Sequence, residues 1–273
     1  MRKILLAIAL AGLVLAACAE EDAAQPASGS PECRTSDPPV LEPGVLTVST
    51  SRPAFPPWFE GNPRNYSGYE GELATQIAER MDLEIKWVAE PFDQSYAPGN
   101  KDYDFGLQQV TITDEREQAV DFSDAYFNNN QGVLTLENNP VAEVDSIEGL
   151  KEHRLGAVVG TTSLSLINSV IQPQEEPAIF NDTNDAKTAL EGGRIDAFVT
   201  DLVTTVYLRD VEMSNAVVIG QYPEQEQFGL VFEQGNPLRL CVNQILADMK
   251  EDGTLEELQD RFLQQYLRVP SLA

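Results

Sequence analysis

The chain has 273 residues, 42 % of them hydrophobic, and sets 44 Asp and Glu against 18 Lys and Arg for a formal net charge of −26. That length can bury a real core and suffices for two lobes of about 100 residues each. The acidity excludes nucleic acid and anionic lipid surfaces as partners, since both need basic patches, and reads as the solvated surface of many exported proteins.

Arg2 and Lys3 precede an uncharged apolar run from Ile4, and small residues lead to Cys18. This is the pattern of a secretory leader, too short to span a bilayer comfortably, which takes about 20 apolar residues. Leu15-Ala16-Ala17-Cys18 resembles the bacterial lipobox. Residues 1–17 are therefore expected to be removed and Cys18 to be diacylated, two acyl chains anchoring stably where one is marginal. An ordinary leader with an incidental cysteine is the alternative. Residues 18–44, rich in Pro, Ser, Ala and acid, read as a flexible tether. Cys33 and Cys241 then form an even pair in an exported chain, a disulfide candidate with two separate thiols as the alternative. There is no CxxC, and the single histidine, His153, stands in a charged Lys-Glu-His-Arg stretch, so no metal or cofactor is expected.

Val45 to Val48 reads as a short strand, and the loop Ser49 to Trp58 follows. Prolines at 53, 56 and 57 stiffen it, so that Phe55 and Trp58 serve either as a stacking wall for a ligand or as core. Leu73, Ile77 and Met81 recur on one face of an amphipathic helix, after which Leu83, Ile85 and Trp87 alternate as a half-buried strand. The run Phe105, Leu107, Val110, Ile112 predicts a further strand, and Thr113 an N-cap with Asp114 and Glu115 in the first turn. Arg116 falls at about the third position of that helix. A cation there opposes the helix dipole by up to about 1 kcal/mol unless an anion joins both. Two readings stand: a carboxylate site shared by helix N–H groups and the guanidinium fork, or a solvated arginine paired with Glu115 or Glu117.

Val133 to Leu136 reads as an extended crossover. A second α/β series follows, with a short helix from Ser146, a strand from Arg154 to Val159, the turn Gly160 to Ser163, and a helix carrying Leu164, Ile167 and Ile171. Thr161 and Thr162 in that turn offer either an anion site or an ordinary N-cap. Asn181-Asp182-Thr183 caps the next helix, and the strand from Arg194 to Thr200 ends at Asp201. Asp201 is placed to accept an ammonium beyond a strand's carboxyl end, or else to cap the following helix. Residues 226–232 read as a second extended crossing, with helices from Pro237 and from Leu255 to Leu267. The simplest organisation is one lobe from residues 45–127 and 233–273, a second from 132–226, and two strands between them.

The segments GYEGELATQIAERM, DFGLQQVTITDEREQAVDFSDAYF, VVGTTS, LEGGRIDAFVTD and QFGLVFEQGNP resemble family 3 extracellular solute-binding proteins, the amino-acid receptors of ABC importers. The likeness runs in order from Val45 to Leu267. It implies an α/β chain with the type II periplasmic-binding-protein fold, two α/β lobes joined by two hinge strands, working as a monomeric clamp that is not an enzyme. It further implies that Arg116, helped by Thr111 and the turn at Thr161 and Thr162, holds a ligand carboxylate. Asp201 would hold the ammonium and Phe55 would cover the side chain. The implied partners are a small amino acid and a membrane permease, the chain itself lacking the GxxxxGK[ST] loop of an ATPase. The implied location is outside the cytoplasmic membrane, lipid-anchored to it.

Three positions depart from the family pattern: Thr50 is followed by Ser51-Arg52, Gln108-Gln109 stands where a small pair is usual, and Val158 replaces a polar residue. Arg52 favours an acidic ligand side chain, whereas Gln108 and Gln109 suit an amide or hydroxyl. Two other readings stay open: an enzyme resembling cyclohexadienyl dehydratases, and a sensory lipoprotein.

Overall fold

A computed structural model describes residues 33–272, so the expected leader and the expected lipidation at Cys18 lie outside the described residues. Strand β1 (Val45–Thr50) is buried along nearly its whole length, as a strand covered on both faces must be. Helix α1 (Tyr69–Arg80) buries the stripe Leu73, Ala74, Ile77 and Ala78. It starts at Gly68, whose φ of 87° and whose contact with the Trp58 carbonyl, 2.6 Å from where a Cβ would stand, both demand glycine. The first free N–H groups of α1 are taken by the proline-rich loop: Tyr69 N donates to Pro57 O and Glu70 N to Trp58 O. Strand β2 (Glu84–Ala89), the short helix α2 (Phe92–Ser95) and strands β3 (Phe105–Gly106) and β4 (Asp121–Phe122) complete the first passage.

Strand β5 (Phe127–Leu136) opens the second series, followed by β6 (Leu155–Val158), α3 (Thr162–Leu166), β7 (Ala178–Phe180), α4 (Thr183–Glu191), β8 (Ala197–Asp201) and α5 (Leu202–Tyr207). Strand β9 (Ala216–Phe228) then leads to β10 (Val231–Phe232) and to helices α6 (Leu238–Glu251) and α7 (Thr254–Phe262).

Two five-stranded sheets result, ordered β2-β1-β3-β10-β4 and β7-β6-β8-β5-β9. Strands β1, β2 and β3 run parallel, as do β6, β7 and β8, while β10 and β5 pair antiparallel within their sheets. The chain passes between the sheets twice, from β4 to β5 and from β9 to β10. Side by side, β5 and β9 are paired from Phe127↔Phe228 to Leu136↔Ala216. This is the expected pair of α/β lobes with two connecting strands.

Three sequence expectations are corrected. The strand expected over Phe105 to Ile112 stops at Gly106, because Gln109 turns the chain at φ 55°. The helix expected after Thr113 is a single 3-10 turn, Arg116–Gln118. Thr113 does cap it, its hydroxyl accepting from Arg116 N at 3.2 Å, but the polar run from Asp114 to Gln118 has no apolar stripe to dock, and Phe122 pairs at once with Val231 of β10. The second crossing is also longer than residues 226–232, since β9 begins at Ala216. Cys33 and Cys241 are joined as a disulfide, tying the segment before β1 to α6.

Candidate functional site

A cavity of about 470 Å³ opens where the carboxyl ends of strands from both sheets meet. It is bordered from the first half by Arg52, Phe55, Gln108, Gln109 and Thr111, and from the second by Thr161, Thr162 and Asp201. These ends converge because parallel strands deliver their following loops to one edge of the sheet.

Trp58 is a correction. It is fully buried, packs edge-on against Tyr69, Phe127 and Phe228, and donates from Nε1 to Thr204 Oγ1 at 3.4 Å. It is core, not a wall of the cavity. Phe55, by contrast, borders the cavity and meets the Tyr207 ring edge-on at 5.7 Å.

Arg116 is buried, neither free in solvent nor paired with Glu115 or Glu117 among the described ion pairs. Its guanidinium donates to the carbonyl of Thr111 at 2.6 Å and, across the cleft, to that of Gly160 at 3.0 Å. It also lies 4.5 Å from the centre of the Tyr96 ring, whose hydroxyl donates to the same Gly160 carbonyl at 2.9 Å. Arg116 therefore stands immediately behind the wall formed by Thr111, and links the two halves. The two carbonyls are weaker partners than a carboxylate, so the fork retains capacity for an anion.

The turn at Gly160 works as an N-cap, Thr161 Oγ1 accepting from Leu164 N at 3.2 Å. Thr162 Oγ1 remains available to the cleft, 3.4 Å from Thr111 Oγ1 and 3.3 Å from the donor Gln131 Nε2.

Asp201 does not cap α5 with its side chain. Its Oδ1 instead accepts from Asn129 Nδ2 at 2.7 Å, and the same amide donates to Glu226 Oε2 at 3.0 Å. Gln131 Nε2 reaches that Glu226 oxygen at 2.6 Å, and Gln131 Oε1 accepts from Ser163 Oγ at 2.6 Å. Two acids thus share one amide in a buried pocket. Burial first, and then the negative charge of Glu226, hold the Asp201 carboxyl well above the usual carboxylate range, against the opposing pull of Asn129 and Arg116. A cationic group entering the cavity would favour the ionised form of this acid.

Glu70 is a third buried acid, on α1. It accepts from Gln109 N at 2.9 Å, from the Gln109 amide and from the Tyr126 hydroxyl, pinning the left-handed turn at Gln109 beside the cavity. Burial pushes its carboxyl up to about 7 despite those donors.

Sequence reasoning missed Glu70, Asn129, Gln131 and Glu226. A signal existed for two of them: Phe127, Asn129, Gln131 and Val133 alternate along β5, so the buried face of a core strand carries two amides.

A sequence model of bacterial extracellular solute-binding proteins, family 3, matches residues 46–265. The L-cystine-binding protein TcyJ of Escherichia coli (strain K12) is 28 % identical over 226 residues, covering 82 % of this chain and 84 % of that protein. Among solved structures, an ancestral arginine-binding protein bound to arginine superposes with a TM-score of 0.71 at 28 % identity, over 80 % of this chain and 98 % of its own. The ancestral amino-acid-binding protein AncCDT-1, a precursor of cyclohexadienyl dehydratase, gives 0.71 at 28 % identity, over 81 % and 96 %.

Proposed function

The chain belongs to the bacterial extracellular solute-binding proteins, family 3, and on that premise we propose that it captures a small amino acid in the cavity and delivers it to the permease of an ABC importer. One observation carries the reading: Asp201 borders the cavity from one half of the chain, and the buried guanidinium of Arg116 stands directly behind its Thr111 wall on the other, donating across to Gly160. A zwitterion supplies what each lacks. Its carboxylate takes the Arg116 fork in place of the two carbonyls, with Thr111, Thr161 and Thr162 beside it, and its ammonium takes Asp201. Phe55 covers the side chain, whose far end faces Arg52, Gln108 and Gln109.

Closure follows from differential contact. With the lobes apart, Arg116 cannot reach Gly160, and a ligand touching only one half gains nothing from the closed form. The lobes are residues 45–127 with 233–273, and 132–226. The protein acts as a monomer, held by a lipid on Cys18 to the outer face of the cytoplasmic membrane, with residues 18–44 as tether. It binds and does not catalyse. The relationship to AncCDT-1 gives the dehydratase reading its one support, and assaying conversion of prephenate or arogenate tests it.

The decisive experiment is calorimetric titration of the ligand-stripped protein with a panel of L-amino acids. One-to-one binding that disappears in Arg116→Ala is the expected result. Silence across the panel from a protein with native near-ultraviolet dichroism would overturn the proposal.

A further inference from the structure

The wall of the cavity contains an amide with nothing to bond. Gln108 borders the cavity and is 2 % exposed, yet among the described residues neither its Nε2 nor its Oε1 has a hydrogen-bond partner. Most buried polar atoms are satisfied, because an unpaired one forfeits its bonds to water without replacement. Here the donor and the acceptor of one side chain are both orphaned at the edge of a binding site.

We infer that Gln108 reads the ligand's side chain, and that this side chain ends in a carboxamide, making the ligand L-glutamine or L-asparagine. The inference rests on the amino-acid reading above and names the class of amino acid.

The chemistry of the orphaned pair selects among candidates. A carboxylate on the ligand would accept from Nε2 but face the lone pairs of Oε1. An ammonium or guanidinium would donate to Oε1 and leave Nε2 empty. An apolar end leaves both unpaired, and a hydroxyl presents one atom to two sites. A primary amide offers a donor and an acceptor side by side, so it completes both bonds as a paired amide dimer. The match survives exchange of the two Gln108 atoms, since the ligand's amide turns over with it.

The position is rigid enough to discriminate. Leu107 N donates to Ser49 O at 2.9 Å on one side of Gln108, and Gln109 is clamped to Glu70 on the other. The charged residues bordering the cavity, besides Asp201, are Arg52 against Glu90, Asp93 and Asp182, an acidic excess that disfavours an anionic ligand side chain and makes L-lysine the discriminating competitor in the test.

The test uses the full chain in detergent, stripped of ligand by unfolding and refolding, and titrated with L-glutamine, L-asparagine, L-glutamate, L-lysine and L-methionine. Wild type should bind a carboxamide roughly 100-fold more tightly than L-methionine or either charged amino acid, as sites built to hydrogen-bond a ligand reject analogues that leave them unpaired. In Gln108→Leu that preference should shrink to within about threefold, while the thermal midpoint of the ligand-free protein rises because an unsatisfied amide has gone. Gln108→Glu provides a second variant, and should lose the carboxamide preference through its missing donors. Preference of wild type for a charged or apolar amino acid would overturn the inference and leave the amino-acid reading standing. An unchanged glutamine-to-methionine ratio in both variants would also overturn it. Silence toward every amino acid, from a refolded protein, would remove both.

Discussion

Replacing Glu70 with glutamine should flatten the pH dependence of folding stability between pH 4.5 and 7. Glu70 is fully buried on α1 and held by Gln109 and Tyr126. Those donors favour the carboxylate, but burial outweighs them, and the carboxyl titrates at about 7 rather than at 4.5. Between these values the folded protein keeps a proton that the unfolded chain has released. The contribution of Glu70 to stability is therefore full below pH 4.5 and falls as pH rises, by about 1.4 kcal/mol per pH unit, for a total of about 3 kcal/mol by pH 7. Glutamine cannot ionise, and its oxygen still accepts from Tyr126 and from Gln109 N. Urea unfolding of both proteins across that range gives the two profiles, and their difference isolates Glu70 from the other titrating groups. Parallel profiles, or a difference that grows in the opposite direction, would refute the reasoning. A profile of the expected slope would also show that the turn at Gln109 rests on a neutral acid below pH 7.

Three further outcomes are expected. Ligand binding should release a proton at pH values where the Asp201 carboxyl, held above the usual carboxylate range by burial and by Glu226, is still partly protonated, because an ammonium favours its ionised form, so affinity rises with pH there. Calorimetry in buffers of different ionisation heat reads this, and Asp201→Asn should show no such release. Reduction of Cys33–Cys241, which closes a loop across 208 positions, should cost up to about 5 kcal/mol in guanidinium unfolding on the chain-entropy account. Trp58→Ala should cost about 3–5 kcal/mol of stability, as aromatic truncation in a packed core does. Equilibrium unfolding measures it; a stable variant that has lost only ligand affinity would return Trp58 to the cavity wall.

Much of the fold was legible because its signals are local. The stripe Leu73, Ile77 in α1, the alternation in β2, the cap at Asp182 and the Gly192-Gly193 stop after α4 all operate within a few residues. Reading Phe105 to Ile112 as one strand failed where a partner distant in sequence, Glu70, holds Gln109 in a left-handed turn that no β-propensity foretells. The helix after Thr113 failed for the converse reason. Its cap is sound, but no apolar face follows to pay for extending it.

By itself the sequence offered Arg116 and Asp201 as candidate ligand contacts, singled out through a resemblance to the family, and it determined the two α/β series and the two crossings between them. Residue type and short-range period carry that information. Only the tertiary structure decided what those residues touch. Asn129 reaches Asp201 across 72 positions and Glu226 across 97, and Arg116 reaches Gly160 across 44. Such partners are set by strand register and by the packing of one half on the other, where a shift of one residue would turn each side chain to the opposite face.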